Sequence, residues 1–380
     1  MVPEEQRPFL MTSLRSITLL TLSLAANFTA AHTRQMICMI HRIFMLTVIL
    51  LPAISAPTTA APPQVPDAFA INHRLGRGVN IIGWDPLWQD FTQGHFKDEH
   101  FKLIREAGFD HVRINLHPLR DGKPDASGKM RGQFFRTVDW AIDQALANNL
   151  LAILDYHDDL EISPDPAGKR QVFLATWTAI AEHCKDRPAE VLFEILNEPA
   201  GKFTHETWNE YHKDALEIIR RTNPTRTVII GPARWNGVKE LDKLILPEND
   251  RNIIATFHYY NPFDFTHQGT PWTDQRDKSG VTWKSTPEQQ QAVLRDFSGA
   301  ETWAKQHNRP LYLGEFGAYD KADMDSRVRY IGFIAREAEK RGWSWAHWQF
   351  ANDFTTYDNA NKRWVEPIRD ALVPPGKAQP

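Results

Sequence analysis

The chain has 380 residues, a net charge of −3 and an ordinary balance of apolar and charged residues. That length allows one large domain or two small ones, and the charge leaves no basic footprint for nucleic acid. Thirteen tryptophans favour a protein that shows aromatic faces to a flat, partly apolar ligand such as a sugar ring, even with several of them in the core.

The first segment reads as a leader. A strongly apolar run at 43–54 follows His41-Arg42 and precedes a stretch rich in small residues and proline, Ser55-Ala-Pro-Thr-Thr-Ala-Ala-Pro-Pro63. A basic residue, a short apolar run and small residues make a secretory signal, and the run is short for a bilayer span. Residues 1–61 are therefore expected to be a leader cleaved between Ala56 and Ala61, with the chain secreted or periplasmic. An uncleaved anchor is the rival. The tail before the run is unusual for a signal, so Met36, Met39 and Met45 are alternative starts. A Pro-rich tether at 62–70 follows. Of the two cysteines, Cys38 lies in the leader and Cys184 is left alone, so the mature chain has no internal disulfide and must rest on its core.

From 71 to 375 short apolar runs alternate with amphipathic stretches. The runs at 78–82, 111–116, 150–157, 191–198, 227–231, 252–260, 310–316 and 344–350 are rich in Val, Ile and Leu, as strands buried on both faces are. Helices are predicted at 100–107, 134–148, 171–184, 205–221, 287–306 and 325–341, with a short, poorly defined one near 238–244. Pro287 suits a first helical turn, and Gly342 a position just past a helix end. Eight strands alternating with helices predict a single-domain (β/α)8 TIM barrel in the α/β class. A doubly wound sheet is the alternative, but no Gly-rich phosphate loop follows the first strand. The one long connection, 261–286, carries Phe263, Phe265, Trp272 and Trp283 and is a candidate substrate loop.

Two runs end in an acid. These are Val191-Leu-Phe-Glu-Ile-Leu-Asn-Glu-Pro199 and Leu311-Tyr-Leu-Gly-Glu-Phe-Gly317. A strand core rejects a charge unless the strand end opens into a polar site. In a barrel the site lies at the C-terminal strand ends. Read in order, those ends offer Arg113, Asp155-Tyr-His157, Asn197-Glu198, His258-Tyr-Tyr260, Glu315 and Trp348. Each alone has a plain explanation: a surface cation, a satisfied core histidine, a core tryptophan, an acid capping a strand. Two facing carboxyls are what retaining glycoside hydrolysis requires.

These motifs resemble glycoside hydrolase family 5, the cellulase family of (β/α)8 retaining glycosidases, across the whole mature chain. Gly78-Val-Asn-Ile resembles its first strand and Val112-Arg-Ile-Asn its second. Leu192-Phe-Glu-Ile-Leu-Asn-Glu-Pro199 looks like the acid/base motif and Gly314-Glu-Phe-Gly317 the nucleophile motif. The closing segment from Trp348-Gln-Phe to Leu372 is also similar, and Thr256-Phe-His-Tyr-Tyr-Asn-Pro-Phe to Gly269 resembles endo-β-1,4-glucanases. The resemblance implies Glu198 as acid/base and Glu315 as nucleophile. It implies Asn197 as the ligand of the sugar 2-hydroxyl and Arg113 as the cation that keeps the nucleophile ionised. Tyr260 then lies near the nucleophile, His157 and His258 line the catalytic subsite, and Trp348 stacks on its sugar.

One departure bears on substrate. Many relatives place a second histidine after the position of His157, where this chain has Asp158 and Asp159. An Asp158 facing the cleft would accept hydrogen bonds from sugar hydroxyls and repel acidic glycans. A second departure is Gln349, where an acid often follows the tryptophan. The expected activity is hydrolysis of internal β-1,4-glucosidic bonds in a cellulose-like glucan. Alternatives are a related β-glycanase acting on mannan, xyloglucan or mixed-linkage glucan, a non-catalytic sugar-binding protein, and a metal-dependent barrel hydrolase. No cofactor or metal is expected, since the spacing of Asp155, Asp158 and Asp159 matches no Ca²⁺ loop. The expected partner is a β-linked polysaccharide or oligosaccharide, with no nucleic acid and no lasting membrane span, and a monomer is expected.

Overall fold

A computed structural model describes residues 67–125 and 127–376. The predicted leader, its cleavage site and Cys38 lie outside them. The barrel strands are β1 (Arg77–Ile81), β2 (His111–Leu116), β3 (Leu151–Tyr156), β4 (Val191–Glu194), β5 (Val228–Ile230), β6 (Ile253–Tyr259), β7 (Leu311–Phe316) and β8 (Ser344–His347). All pair in parallel and in chain order. The ring closes where β8 returns to β1, with Gly78 facing both His111 and Ala346. Every residue of these strands is buried. The runs read as continuous because one face meets the helices and the other meets the barrel interior.

The helices are α1 (Ala68–Leu75), α2 (Asp98–Glu106), α3 (Gly132–Ala147), α4 (Asp159–Ile162), α5 (Pro166–His183), α6 (His205–Thr222), α7 (Phe263–Thr266), α8 (Pro287–His307), α9 (Met324–Lys340) and α10 (Glu366–Leu372). Each predicted long helix is present. The short segment after β5 is a 3₁₀ helix at Val238–Lys243. Pro287 does open α8, and Thr286 with Gln289 forms a capping box there.

Helix α1 begins inside the segment read as a tether. Asp67 caps it by accepting from the Phe69 amide. Ala68, Ile71 and Leu75 are spaced along one helical face, and they pack with Leu151, Ile153, Leu192, Ile229, Ile254, Tyr312 and Ala346. These partners come from five barrel strands and from β8, so α1 closes one end of the interior with apolar contacts. Its Asn72 donates to the Leu311 carbonyl (3.0 Å) and accepts from Ser344 Oγ (2.7 Å). The opposite, C-terminal end of the barrel is left for polar groups.

Two strands stop well short of their predicted ends, by three residues or more. β4 ends at Glu194, and β8 ends at His347. Past β4 the chain keeps direction for a few residues, with the Ile195 amide on the Ile229 carbonyl and the Asn197 amide on the Tyr156 carbonyl. Glu198 then takes a left-handed backbone, φ 39°, which ends the extended course. Past β8 the Trp348–Gln349 peptide is cis. Asn197, Glu198 and Trp348 thus sit on the turns above the barrel rather than in its strands.

Candidate active site

Glu315 lies within β7, at the end of the barrel opposite α1. The pairing of β6 with β7 shifts register between Phe257 and His258, so that His258 faces Glu315. A local irregularity of this kind re-aims side chains. Gly314 makes room for it. A Cβ there would lie 2.8 Å from Thr256 Oγ1 and 2.9 Å from His258 Nε2. Gly317 is similarly tight, since a Cβ would lie 2.4 Å from the Trp348 carbonyl.

Arg113, on β2, organises the floor. It is fully buried. Nε and Nη2 bind Glu194 bidentately (2.7 and 2.9 Å), and Nη1 donates to Glu315 Oε1 (2.7 Å) and Asn80 Oδ1 (2.8 Å). Nη2 also donates to Asn197 Oδ1 (3.0 Å) and lies 3.2 Å from Asp155 Oδ1. The planar fork of arginine suits this many fixed acceptors. Burial would lower its pKa, but Asp155, Glu194 and Glu315 outweigh that and raise it. The guanidinium is a permanent cation.

Glu315 is held on both oxygens. Oε1 takes Arg113, Oε2 takes the Tyr260 hydroxyl at 3.0 Å, and His258 Nδ1 lies 3.7 Å from Oε2. Burial pushes its pKa up to about 7, while His258 and Arg113 pull it down and Glu198 raises it. Glu198 has a single donor, His258 Nδ1 at 2.7 Å from Oε1. Burial pushes it up to about 8, against the pull of Arg113. One oxygen of each glutamate and one nitrogen of His258 lie within 4.8 Å of one another. Among the described residues this is the one cluster with metal-ligand spacing. Within it His258 Nδ1 reaches Glu198 Oε1 at 2.7 Å and lies 3.7 Å from Glu315 Oε2.

His157 and Asn197 close the network. His157 Nδ1 donates to Asp155 Oδ2 (2.6 Å), and Nε2 faces Asn197 Nδ2 (3.3 Å). Burial lowers the His157 pKa well below the usual range, so the ring is neutral. Asn197 Nδ2 also donates to Asp159 Oδ1 (2.9 Å). Trp348 stacks on His157, with ring centres 5.3 Å apart and 8° between planes.

All eight predicted site residues therefore meet at one end of the barrel. All but Arg113 line a cleft of ≈1080 Å³, and Arg113 lies beneath it. Trp84, Trp235 and Trp272, each 56% exposed, share that lining with Phe263. An exposed indole in a cleft is a platform for a sugar face. Of the four aromatics noted in 261–286, Phe263 and Trp272 line the cleft, whereas Phe265 and Trp283 are buried in the core.

Asp158 does not face the cleft. Its side chain is fully buried and accepts from the Leu119 amide (2.5 Å), tying the end of β3 to the loop after β2. Asp159 lines the cleft instead. The expectation of an Asp158 sugar contact is thus corrected, because the chain turns into α4 at this point. Sequence reasoning also passed over Glu194 and Asn80, both bound by Arg113. Glu194 carried a signal, an acid inside an apolar strand. Asn80 carried none.

The comparisons decide the family. Residues 76–354 match the family model "Cellulase (glycosyl hydrolase family 5)". The chain belongs to glycoside hydrolase family 5. Endoglucanase H of Acetivibrio thermocellus is 32% identical over 337 residues, covering 85% of this chain and 35% of that protein. Endoglucanase 3 of Fibrobacter succinogenes is 25% identical over 351 residues, covering 78% of this chain and 52% of that protein. The family 5 chain thus spans 35% and 52% of these two relatives. Among solved structures, Thermotoga maritima Cel5A with cellobiose is similar at a TM-score of 0.77 and 41% identity, covering 81% of this chain and 100% of that one. The same protein with mannotriose gives the same values.

Proposed function

We propose that this family 5 chain hydrolyses internal β-1,4-glucosidic bonds of a cellulose-like glucan by double displacement, with retention at the anomeric carbon. The observation that carries the reading is the carboxyl pair. Glu198 and Glu315 approach within 4.8 Å, which supports the close carboxyl pair of a retaining enzyme, about 5–5.5 Å apart, over the wider pair of an inverting one. Glu315 attacks the anomeric carbon, its charge held ready by Arg113 and Tyr260. Glu198 keeps its proton to a higher pH and passes it to the leaving oxygen. His258 occupies Oε1 of Glu198, so the transferred proton sits on Oε2. In the second step the same carboxylate takes a proton from water, whose oxygen bonds to the anomeric carbon as the bond to Glu315 breaks, and the sugar is released. Trp348 stacks on the reacting sugar, and Asn197 meets its 2-hydroxyl.

Three exposed indoles, Trp84, Trp235 and Trp272, share the cleft with the carboxyl pair, which supports binding of several sugars and attack within a chain. A relative seen with mannotriose supports a second reading, a β-mannan substrate. Export is proposed from the apolar run at 43–54. Among the described residues no helix is long and apolar enough to cross a membrane.

The test is hydrolysis of a panel of β-glucans and β-mannans, with product sizes and the first-formed anomer read by NMR. The expected result is internal cleavage and first-formed β-anomer, unchanged by EDTA. A first-formed α-anomer overturns the two-step mechanism. Activity lost to EDTA and restored by a divalent metal favours a metal hydrolase.

A further inference from the structure

Three successive residues after β5 have left-handed backbones: Arg234 (φ 64°), Trp235 (φ 58°) and Asn236 (φ 50°). Residues other than glycine seldom adopt this region and persist there where the surroundings impose it. Arg234 and Trp235 point to the exposed cleft. Asn236 does the reverse. Its side chain is fully buried, lodged where Gly231 leaves space, since a Cβ on Gly231 would lie 2.5 Å from Asn236 Oδ1. Its carbonyl accepts from the His258 amide (2.8 Å), and its Nδ2 faces His258 Nε2 at 3.4 Å. Backbone and side chain of one strained residue thus grip the histidine that touches the acid/base glutamate.

We propose that Asn236 is a positioning residue that fixes the tautomer of His258 and, through it, the proton on Glu198. The inference rests on the acid/base reading of Glu198 given above. An amide N–H pointed at Nε2 requires Nε2 to be the acceptor, which puts the single imidazole proton on Nδ1. That proton is donated to Glu198 Oε1 at 2.7 Å. The acid's own proton is left on Oε2, facing the leaving group. With the opposite tautomer, Nδ1 would draw the Glu198 proton toward itself and away from the substrate. The assignment follows from the amide orientation, which sets Nδ2 toward Nε2.

The surroundings of His258 make its protonation state consequential. It faces Glu198 from the turn after β4, Glu315 from β7, Glu194 from β4, Asp155 from β3 and Arg113 from β2. The acids favour an imidazolium, whereas burial and Arg113 oppose one, and burial is the largest effect. A neutral donor amide at Nε2 adds to the second side, since imidazolium would point an N–H at an N–H.

Two variants test this. Asn236→Gly keeps a residue suited to φ 50° and removes the amide. Asn236→Asp keeps the shape and offers Nε2 an acceptor. kcat and KM are measured across pH on one aryl β-cellobioside with an activated leaving group and on a cello-oligosaccharide, beside wild type and Glu198→Gln. For Asn236→Gly, kcat on the oligosaccharide falls about three- to tenfold, the size of one lost hydrogen bond. The aryl substrate, which needs little acid help, changes less, and KM stays put. For Asn236→Asp, imidazolium is favoured, Glu198 loses its proton more easily, and the alkaline limb moves to lower pH by about one unit. Equal losses on both substrates with an unmoved alkaline limb in Asn236→Asp would reduce Asn236 to a structural residue. If Asn236→Gly does not fold, the limb in Asn236→Asp decides. If wild type cleaves neither substrate, or Glu198→Gln matches wild type, the acid/base reading falls and this one with it.

Discussion

At the end of β7, Glu315 belongs to the sheet. Past the end of β4, Glu198 does not. Glu315 sits in a strand, is 4% exposed, and has donors on both carboxylate oxygens. Glu198 has a left-handed backbone, a side chain 21% exposed, and one donor on one oxygen. Both lie above the ordinary carboxylate range because water is scarce, but Glu315, nearer its cation and hydroxyl, ionises first. In the proposed mechanism one residue type takes two roles, and the number of fixed donors sets which carboxyl gives up its proton.

The largest effect expected is at the strand-bound member. Glu315→Gln should lower kcat by roughly 10⁴-fold or more, as loss of a nucleophile does. The amide is isosteric and Arg113 keeps Glu194 and Asp155, so the fold should persist. The check is kcat on a β-glucan beside circular dichroism and Tm. Residual turnover near wild type would exchange or abolish the two roles.

At the other member the loss should depend on the leaving group. Glu198→Gln should lower kcat on oligosaccharides by about 10²–10⁴-fold, and much less in the first step on an activated aryl glycoside. Its rate should also lose the alkaline limb expected of wild type near pH 8. Stability has a sign of its own. The folded state holds the Glu198 proton to about 8, where the ordinary value is 4.5. Below 4.5 both states are protonated and the stability tied to this group is fully present. As pH rises toward 8 the unfolded chain releases a proton that the folded chain keeps, and stability falls. Glu198→Gln should therefore melt like wild type at pH 4 and above it at pH 8. A Tm difference that does not change with pH would mean Glu198 ionises at its ordinary value.

Much of this contrast was visible in the amino-acid order. Strands buried on both faces leave apolar runs, and an acid closing such a run is out of place unless it works, which marked Glu198 and Glu315. Helices with long amphipathic faces were equally plain. What escaped were features set by tertiary contacts. Helix α1 has a buried apolar face of only Ala68, Ile71 and Leu75, too short to separate from a Pro-rich approach. The turn into α4 exchanges Asp158 for Asp159 at the cleft, and a one-residue difference in an irregular segment leaves no periodic trace. Asn236 acts through a left-handed backbone and a contact to His258, 22 positions away, and neither is a pattern in sequence.

The smallest effect expected tests what separates the two surroundings, the Tyr260 hydroxyl on Glu315 Oε2. Tyr260→Phe keeps the ring against His267 and Phe354 and removes one hydrogen bond to a charged acceptor, worth about 1.5–3 kcal/mol in full. The rate should not lose all of that. As Glu315 attacks, its charge is consumed, so the donor stabilises the ground state of the first step as well as its transition state. The clearest consequence is on ionisation. With Arg113 on Oε1 and His258 at 3.7 Å, Glu315 keeps fewer donors, its pKa rises, and the acid limb of kcat/KM moves to higher pH by up to about one unit. In the second step Glu315 is the leaving group, and losing the donor slows its departure. The glycosyl-enzyme should then accumulate, with kcat and KM falling together by about tenfold or less on an aryl substrate whose first step is fast. An unmoved acid limb with no burst of aryl release would show that Tyr260 packs beside Glu315 without holding its charge, and the difference between the two glutamates would then rest on Arg113 alone.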